Sequence, residues 1–213
     1  MTILITGANR GIGHALTEAY RAQGEEVIAT ARSAGPGDVP LDVADPASVA
    51  ALAATLEGRP IDLLVCNAGV YLDKGQPMDG YPAEMWAQSF AVNVTGVFLT
   101  IRALLPNIRA AKGKIAIISS QMASQERAPG GSYIYRASKA AALNLGRNLA
   151  VDLAPDGIAV GIYHPGWVRT DMGGGTADIS TAEAVEGLML RFDALSPATT
   201  GCFETWDGRA HPF

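Results

Sequence analysis

Cysteine and histidine are scarce in this chain, with two of the first and three of the second among 213 residues. Cys66 and Cys202 show no metal-ligand spacing, and His14, His164 and His211 have no partner at that spacing, so no metal site is expected. Cys66 lies inside the apolar run IDLLVC and reads as a buried thiol, which fits a reducing compartment. Charge is also sparse: charged residues make up 17% of the chain, the net charge is −5, and no cluster of Lys and Arg occurs. That argues against nucleic acid as a partner. No unbroken apolar run approaches the ~18 residues of a membrane helix. The opening MTILITG enters a strand without a basic region and apolar leader before it. A soluble, cytoplasmic protein without a membrane partner is expected. Low-complexity runs are absent as well, and with 48% hydrophobic residues the chain can bury a substantial core. One domain over 1–213 is expected.

The pattern that is present alternates. Short β-branched apolar runs at 2–6, 26–31, 61–66, 113–119 and 158–164 read as buried parallel strands. Shorter ones at 39–41 and 201–205 bring the sheet to about seven strands. Helical spacing fills 11–24, 45–58, about 83–105, 132–154 and 181–195. Asp45 and Pro46 supply an N-cap and a first helical residue. Only seven residues, 32–38, separate the second and third strands, too few for a crossover helix, so a loop or single turn is expected there. Strand–helix alternation predicts an α/β, doubly wound, Rossmann-like parallel sheet, with ligands bound at the C-terminal ends of the strands.

The turn TGANRGIG, residues 6–13, joins the first strand to the first helix and carries Gly7, Gly11 and Gly13. Such a turn lets backbone approach a pyrophosphate and aims a helix N-terminus at it. Its spacing differs from G-x-G-x-x-G, which implies a variant of that fingerprint. The second strand ends on Ala31 and Arg32, with no carboxylate before Asp38. An arginine there suits the 2′-phosphate of NADP, where an acidic residue would suit the ribose diol of NAD. Arg10 offers a second positive charge. The alternative is that both arginines are solvated surface groups.

Seven elements in order, TGANRGIG (6–13), LDVAD (41–45), NAG (67–69), VN (92–93), SS (119–120), YRASK (135–139) and PGWVRT (165–170), make the chain resemble the short-chain dehydrogenase/reductase family over essentially its full length. GWVRTDMGG further resembles the C-factor-like branch, whose members are similar to small carbonyl reductases. The resemblance implies a catalytic tetrad of Asn93, Ser120, Tyr135 and Lys139. It implies cofactor contacts from Gly7, Asn9, Arg10, Gly11, Ile12 and Gly13 in the turn, and from Arg32 and Ser33 at the second strand. Asp42 and Val43 would sit against adenine, and Asn67, Ala68 and Gly69 beside the adenosine ribose. Pro165, Gly166, Val168 and Thr170 would line the nicotinamide, and Tyr135 and Lys139 would also contact the cofactor. NADPH is expected in preference to NADH. A homodimer or homotetramer is implied, with the two long helices pairing through residues such as Val94, Val97, Phe98, Ile101, Ala140, Leu143 and Leu145.

Two tyrosines compete for the role of acid. At about 100° per residue, Tyr135 and Lys139 share one helix face, whereas Tyr133, six residues from Lys139, faces elsewhere. Tyr133 also follows PGG and stands at the edge of the helix or outside it. Counting a usual loop from Ser120 lands nearer Tyr133, but loops absorb insertions and helix geometry does not. Tyr135 is therefore expected to be the acid and Tyr133 a wall of the substrate pocket. Of Ser119 and Ser120 only one can face the tyrosine, because strand side chains alternate; family register favours Ser120.

A nearby ammonium lowers a phenol's pKa toward the working pH. NADPH reduction of a carbonyl is then expected, with Tyr135 as proton donor, Ser120 bonding the developing oxyanion, Lys139 bonding the nicotinamide ribose, and Asn93 holding a water that relays protons. The competing readings are an alcohol dehydrogenase working oxidatively and a dinucleotide-binding signalling or regulatory protein. The stretch 170–180, with three successive glycines, reads either as a surface loop or as a mobile lid. His164 is expected to bond local backbone, with a contact to the active site as the alternative.

Overall fold

The computed structural model describes residues 1–33, 35 and 37–213. Seven parallel strands form one sheet in the order β3-β2-β1-β4-β5-β6-β7. They are β1 (Thr2–Thr6), β2 (Glu26–Ala31), β3 (Val39–Pro40), β4 (Leu63–Cys66), β5 (Lys114–Ile118), β6 (Ala159–His164) and β7 (Phe203–Thr205). The helices are α1 (Gly11–Ala22), α2 (Pro46–Thr55), α3 (Ala83–Phe90), α4 (Gly96–Ala111), α5 (Tyr133–Leu153) and α6 (Thr181–Ala194). This is the doubly wound, Rossmann-like arrangement expected from the alternation. The loop expected over 32–38 includes Ala34 and Pro36, which lie outside the described residues; the described residues beside them carry no helix.

Both sheet faces are buried, yet the period of two still sorts side chains between them. Leu4, Leu64, Ile115, Ile117, Val160 and Ile162 meet α2, α4 and α5. Ile3, Ile5, Leu63, Val65, Ile118 and Tyr163 meet α1 and α6. Burying a large apolar side chain in either layer contributes about 1.5–3 kcal/mol before chain entropy is counted. Chain order reverses at β1, which pairs with β2 on one side and β4 on the other. That switch point opens a crevice at the strands' C-terminal ends.

The long helical stretch departs from its sequence reading in two ways. First, it does not stop at Leu105 but continues through the exposed Pro106 to Ala111, since a missing N–H is tolerable on the solvent side. Second, it holds a π-helical turn at Ala91–Thr95, centred on the buried Asn93. α3, this turn and α4 make one continuous helix, Ala83–Ala111, that is long and apolar enough by composition to cross a membrane, with 39% of its most apolar window buried inside the protein. No membrane-length run was expected because Ser, Asn, Thr and Gly interrupt it. Those small polar residues include Ser89, Asn93, Gly96, Thr100 and Asn107, all buried.

Val97, Ile101 and Leu143, expected on a face between copies, pack into the chain's own core, whereas Phe98 is exposed. Helix α5 lies close to the sheet because Gly146 lets it. A Cβ there would stand 2.6 Å from Ile162 Cγ1 and 3.1 Å from Ile117 Cδ1. Replacing Gly146 with valine is expected to lower unfolding free energy by about 1–3 kcal/mol through overpacking. Urea titration checks this, and unchanged stability would mean the helix can lift without cost.

Candidate active site

The turn after β1 bends through Gly7, at φ +66°, and Gly11, at φ +55°, both in the left-handed region. A Cβ on Gly7 would stand 2.9 Å from the Ala68 Cα, so the turn is pressed against the NAG segment. Asn67 Nδ2 braces the same place by donating to the carbonyls of Thr6 (2.9 Å) and Gly7 (3.0 Å). A side chain on Gly13 would run into that Asn67 amide and the Gly7 carbonyl. Helix α1 starts with no side-chain cap, which leaves first-turn N–H groups available to an anion.

An open cleft of about 250 Å³ runs along the crevice. It brings together most of the residues expected at a dinucleotide: Gly7, Asn9, Arg10, Gly11, Ile12, Arg32, Ser33, Asp42, Val43, Asn67, Ala68, Gly69, Tyr135, Lys139, Pro165 and Thr170. Gly13, Gly166 and Val168 are not on its wall. Gly13 packs under the turn, Gly166 holds φ +88° close to Ile179 and Trp206, and Val168 is buried in a bridge with Ile179. Asp171, Met172, Val70, Val92 and Leu41 line the cleft without having been expected. The donor set suits a dinucleotide: an uncapped helix N-terminus at a glycine turn, an arginine at the β2 end, and a buried phenol and ammonium at the far end.

Arg10 lines the cleft and also reaches the loop after β6. Its guanidinium pairs with Asp171 at 3.1 Å, both groups exposed, so its charge is directed at the 170–180 loop. That loop is tied at several points. Trp167 Nε1 donates to the Gly173 carbonyl (2.9 Å), Lys74 Nζ to the Met172 carbonyl (3.2 Å), and Ile179 N to the Trp167 carbonyl (3.1 Å).

At the other end, Tyr135 and Lys139 are both buried on one face of α5, with Lys139 Nζ 5.8 Å from the Tyr135 ring centre. Tyr133 is the first residue of that helix, not outside it, and it is 42% exposed. Its ring packs against Tyr81, with centroids 5.3 Å apart. Ser119 Oγ donates to the Lys139 carbonyl at 3.1 Å. The Ser120 hydroxyl accepts from Met122 N at 3.1 Å, and its proximity lowers the Tyr135 phenol. Asn93 Oδ1 and Lys139 Nζ border the same space beside Gly69, each 3.4 Å from where a Cβ there would stand. The Asn93 amide accepts from Val70 N (2.9 Å) and donates to the Val70 carbonyl and Ser138 Oγ (both 2.9 Å). The Lys139 ammonium donates to the Ile118 carbonyl at 2.9 Å.

Electrostatics also depart from expectation. Burial pushes the Tyr135 phenol up to about 12, and Ser120 offsets only part of that. Burial pulls Lys139 down to about 8. In the chain alone, dehydration dominates, so the phenol holds its proton firmly. Three residues near Tyr135 had escaped the sequence reading. Tyr71 stacks on its ring, with centroids 4.1 Å apart and planes 19° from parallel. Ser132 pairs its hydroxyl with Tyr71 at 2.6 Å. Asp73 is fully buried and bonds the start of α5. No local sequence signal marks them, because the contacts span about sixty residues.

His164 does not bond local backbone through its ring: Nδ1 is buried without a partner, and the ring faces His211, centroids 6.0 Å apart. Burial, with smaller contributions from His211 and Arg127, pushes His164 down to about 4 against an ordinary 6.5. Among the described residues no cluster of three or more metal-ligating side chains occurs.

The short chain dehydrogenase family model matches residues 1–179. A dehydrogenase of Rhodococcus sp. strain AD45, named for 1-hydroxy-2-glutathionyl-2-methyl-3-butene, is 34% identical, with 97% of each chain covered. The C-signal protein of Myxococcus xanthus is 36% identical over 72% of this chain and 93% of its own. Among solved structures, the NADPH-bound carbonyl reductase from chicken fatty liver superposes with a TM-score of 0.90 at 30% identity, covering 100% of this chain and 98% of that one. The carbonyl reductase Sniffer of D. melanogaster gives 0.93 at 25% identity over 100% and 99%.

The unpaired histidine generates a stability prediction. The unfolded chain takes up a proton at His164 near pH 6.5, while the folded chain resists until about pH 4. Protons therefore favour unfolding in that window, and stability falls as pH falls. By pH 5 the wild type is expected to lose about 2 kcal/mol more than a His164→Leu variant, relative to pH 7. Urea unfolding at both pH values checks it; equal losses would show that His164 protonates freely in the folded state.

Proposed function

The chain belongs to the short-chain dehydrogenase family of NAD(P)-dependent oxidoreductases, and from that premise we propose that it is an NADPH-dependent reductase of aldehydes or ketones. The observation that carries the reading is the pairing of a buried, proton-holding Tyr135 with Lys139 at one end of a cleft whose other end holds Arg32. The likeness to an NADPH-bound carbonyl reductase supports it. Within the family, the GWVRTDMGG stretch and the similarity to the Myxococcus C-signal support the C-factor-like branch.

NADPH, when bound, supplies the hydride. Tyr135 donates its proton to the carbonyl oxygen as negative charge builds there. A phenol dehydrated by its surroundings holds that proton until the oxyanion forms. Ser120 donates a hydrogen bond to the same oxygen, which is worth most in a dry site. Lys139 presents its ammonium to the ribose side of the cleft and stabilises the phenolate left behind. Asn93 fixes the Val70 backbone through three contacts that include Ser138, and so shapes the wall beside Lys139. Arg32 offers paired N–H donors to a 2′-phosphate. A second reading, oxidation of alcohols through the same residues in reverse, is favoured by the Rhodococcus relative named as a dehydrogenase.

Turnover of a panel of aldehydes, ketones and the matching alcohols separates the two directions. Tyr135→Phe is expected to retain NADPH binding and lose about 10²–10⁴-fold in turnover. Activity that survives there and disappears in Tyr133→Phe would move the acid to the other tyrosine. Arg32→Asp is expected to raise the KM for NADPH at least about tenfold and shift preference toward NADH. An unchanged NADPH/NADH ratio would mean that another group reads the 2′-phosphate.

A further inference from the structure

Helix α5 begins without a cap of its own. Its preceding residue, Ser132, sits in the left-handed region at φ +49°, and no side chain within the segment caps the first turn. The Ser132 hydroxyl is engaged by Tyr71 instead, at 2.6 Å. The first turn also contains no acidic residue. Orphan N–H groups at a buried helix start are costly. Here they are met from sixty-one residues away. Asp73, 0% exposed, accepts from Ile134 N at 2.9 Å and from Tyr135 N at 3.2 Å and 3.3 Å with its two oxygens. These are the second and third helical residues, the ones an ordinary N-cap side chain would serve. No Lys, Arg or His pairs with Asp73 among the described residues.

We propose that Asp73 is a positioning residue for the proton donor: its carboxylate replaces the missing cap of α5 and, with Tyr71 stacked on the ring, fixes the Tyr135 phenol in the cleft. This inference rests on the reading of Tyr135 as the acid. One short segment after β4 holds that residue twice, by its main chain through Asp73 and by its ring through Tyr71 at 4.1 Å. Burial is what mainly holds the proton on the phenol; the facing segment adds to it, Tyr71 more than Asp73. Ser120, just after β5, acts in the opposite direction and lowers the phenol. The helix dipole makes the start of α5 the natural end for a carboxylate.

The test uses Asp73→Asn, which keeps an acceptor oxygen and removes the charge, and Asp73→Ala, which removes both. Each is made with and without Tyr135→Phe, so that subtracting phenolate absorbance spectra isolates Tyr135. Asp73→Asn is expected to lower the Tyr135 titration midpoint and to reduce kcat for carbonyl reduction about tenfold, with the KM for NADPH unchanged. Asp73→Ala is expected to lower kcat further, with asparagine recovering part of the loss. A folded Asp73→Asn protein whose Tyr135 titration and kcat match the wild type overturns the proposal. If neither Asp73 variant folds, Tyr71→Leu decides instead: it removes the ring contact and leaves the cap, so a fall in kcat at constant KM for NADPH supports the clamp and an unchanged kcat overturns it. Turnover retained by Tyr135→Phe alone refutes the assignment of the acid, while the absorbance titration still reports on Asp73.

Discussion

Dehydration of the Tyr135–Lys139 face governs the chemistry of this cleft. Both groups lie on α5 where it is pressed onto the sheet, and both lose the water that would stabilise their charged forms. The phenol therefore rises and the ammonium falls, each toward neutrality. A group in that state responds strongly to any charge brought next to it, because few mobile dipoles remain to screen it. The protonation of Tyr135, the proposed donor, is thus set by packing first and by neighbouring groups second. Gly146 contributes to that packing by allowing α5 to approach Ile162 and Ile117 without a side chain between.

The same packing explains why the site spans so many segments. Chain reversal at β1 leaves a crevice, and the glycine turn, the NAG segment and the loop after β6 converge on it from three strand ends. Each convergence needs backbone in close approach, so the polar groups of that backbone must be satisfied across segments. Asn67 serves the turn carbonyls, Asn93 serves Val70, and Asp73 serves the start of α5. Three side chains that look unremarkable in sequence thus hold the parts of the cleft together. The 170–180 loop is tied in likewise, through Trp167, Lys74 and the Arg10–Asp171 pair.

Strand positions, the doubly wound order and the cleft-lining residues of the glycine turn were readable because they depend on local pattern. β-Branched runs, helical spacing and turn glycines each leave a signature within a few residues of themselves. The four-residue interval from Tyr135 to Lys139 belongs to the same class, since helix geometry places both on one face whatever surrounds it. Some local signals were passed over: Ser180 and Glu183 form a capping box at α6 with the S-x-x-E spacing in plain view. The π-turn around Asn93 had no such signature. An extra residue in a helical turn leaves the hydrophobic pattern nearly unchanged over so short a stretch.

Sequence alone determined the order of elements, the face that α5 presents and the rim where ligands gather, because these follow from repeating local geometry. Tertiary structure alone decided that Arg10 pairs with Asp171, that Asn93 bonds Val70 and Ser138, and that Asp73 and Tyr71 grip the tyrosine. It also decided the proton affinities, with burial raising the phenol and lowering the ammonium. The physical reason is common to all of these. Hydrogen bonds, ion pairs and desolvation act over a few ångströms of space, and residues sixty or more positions apart reach that distance only once the sheet has been laid down.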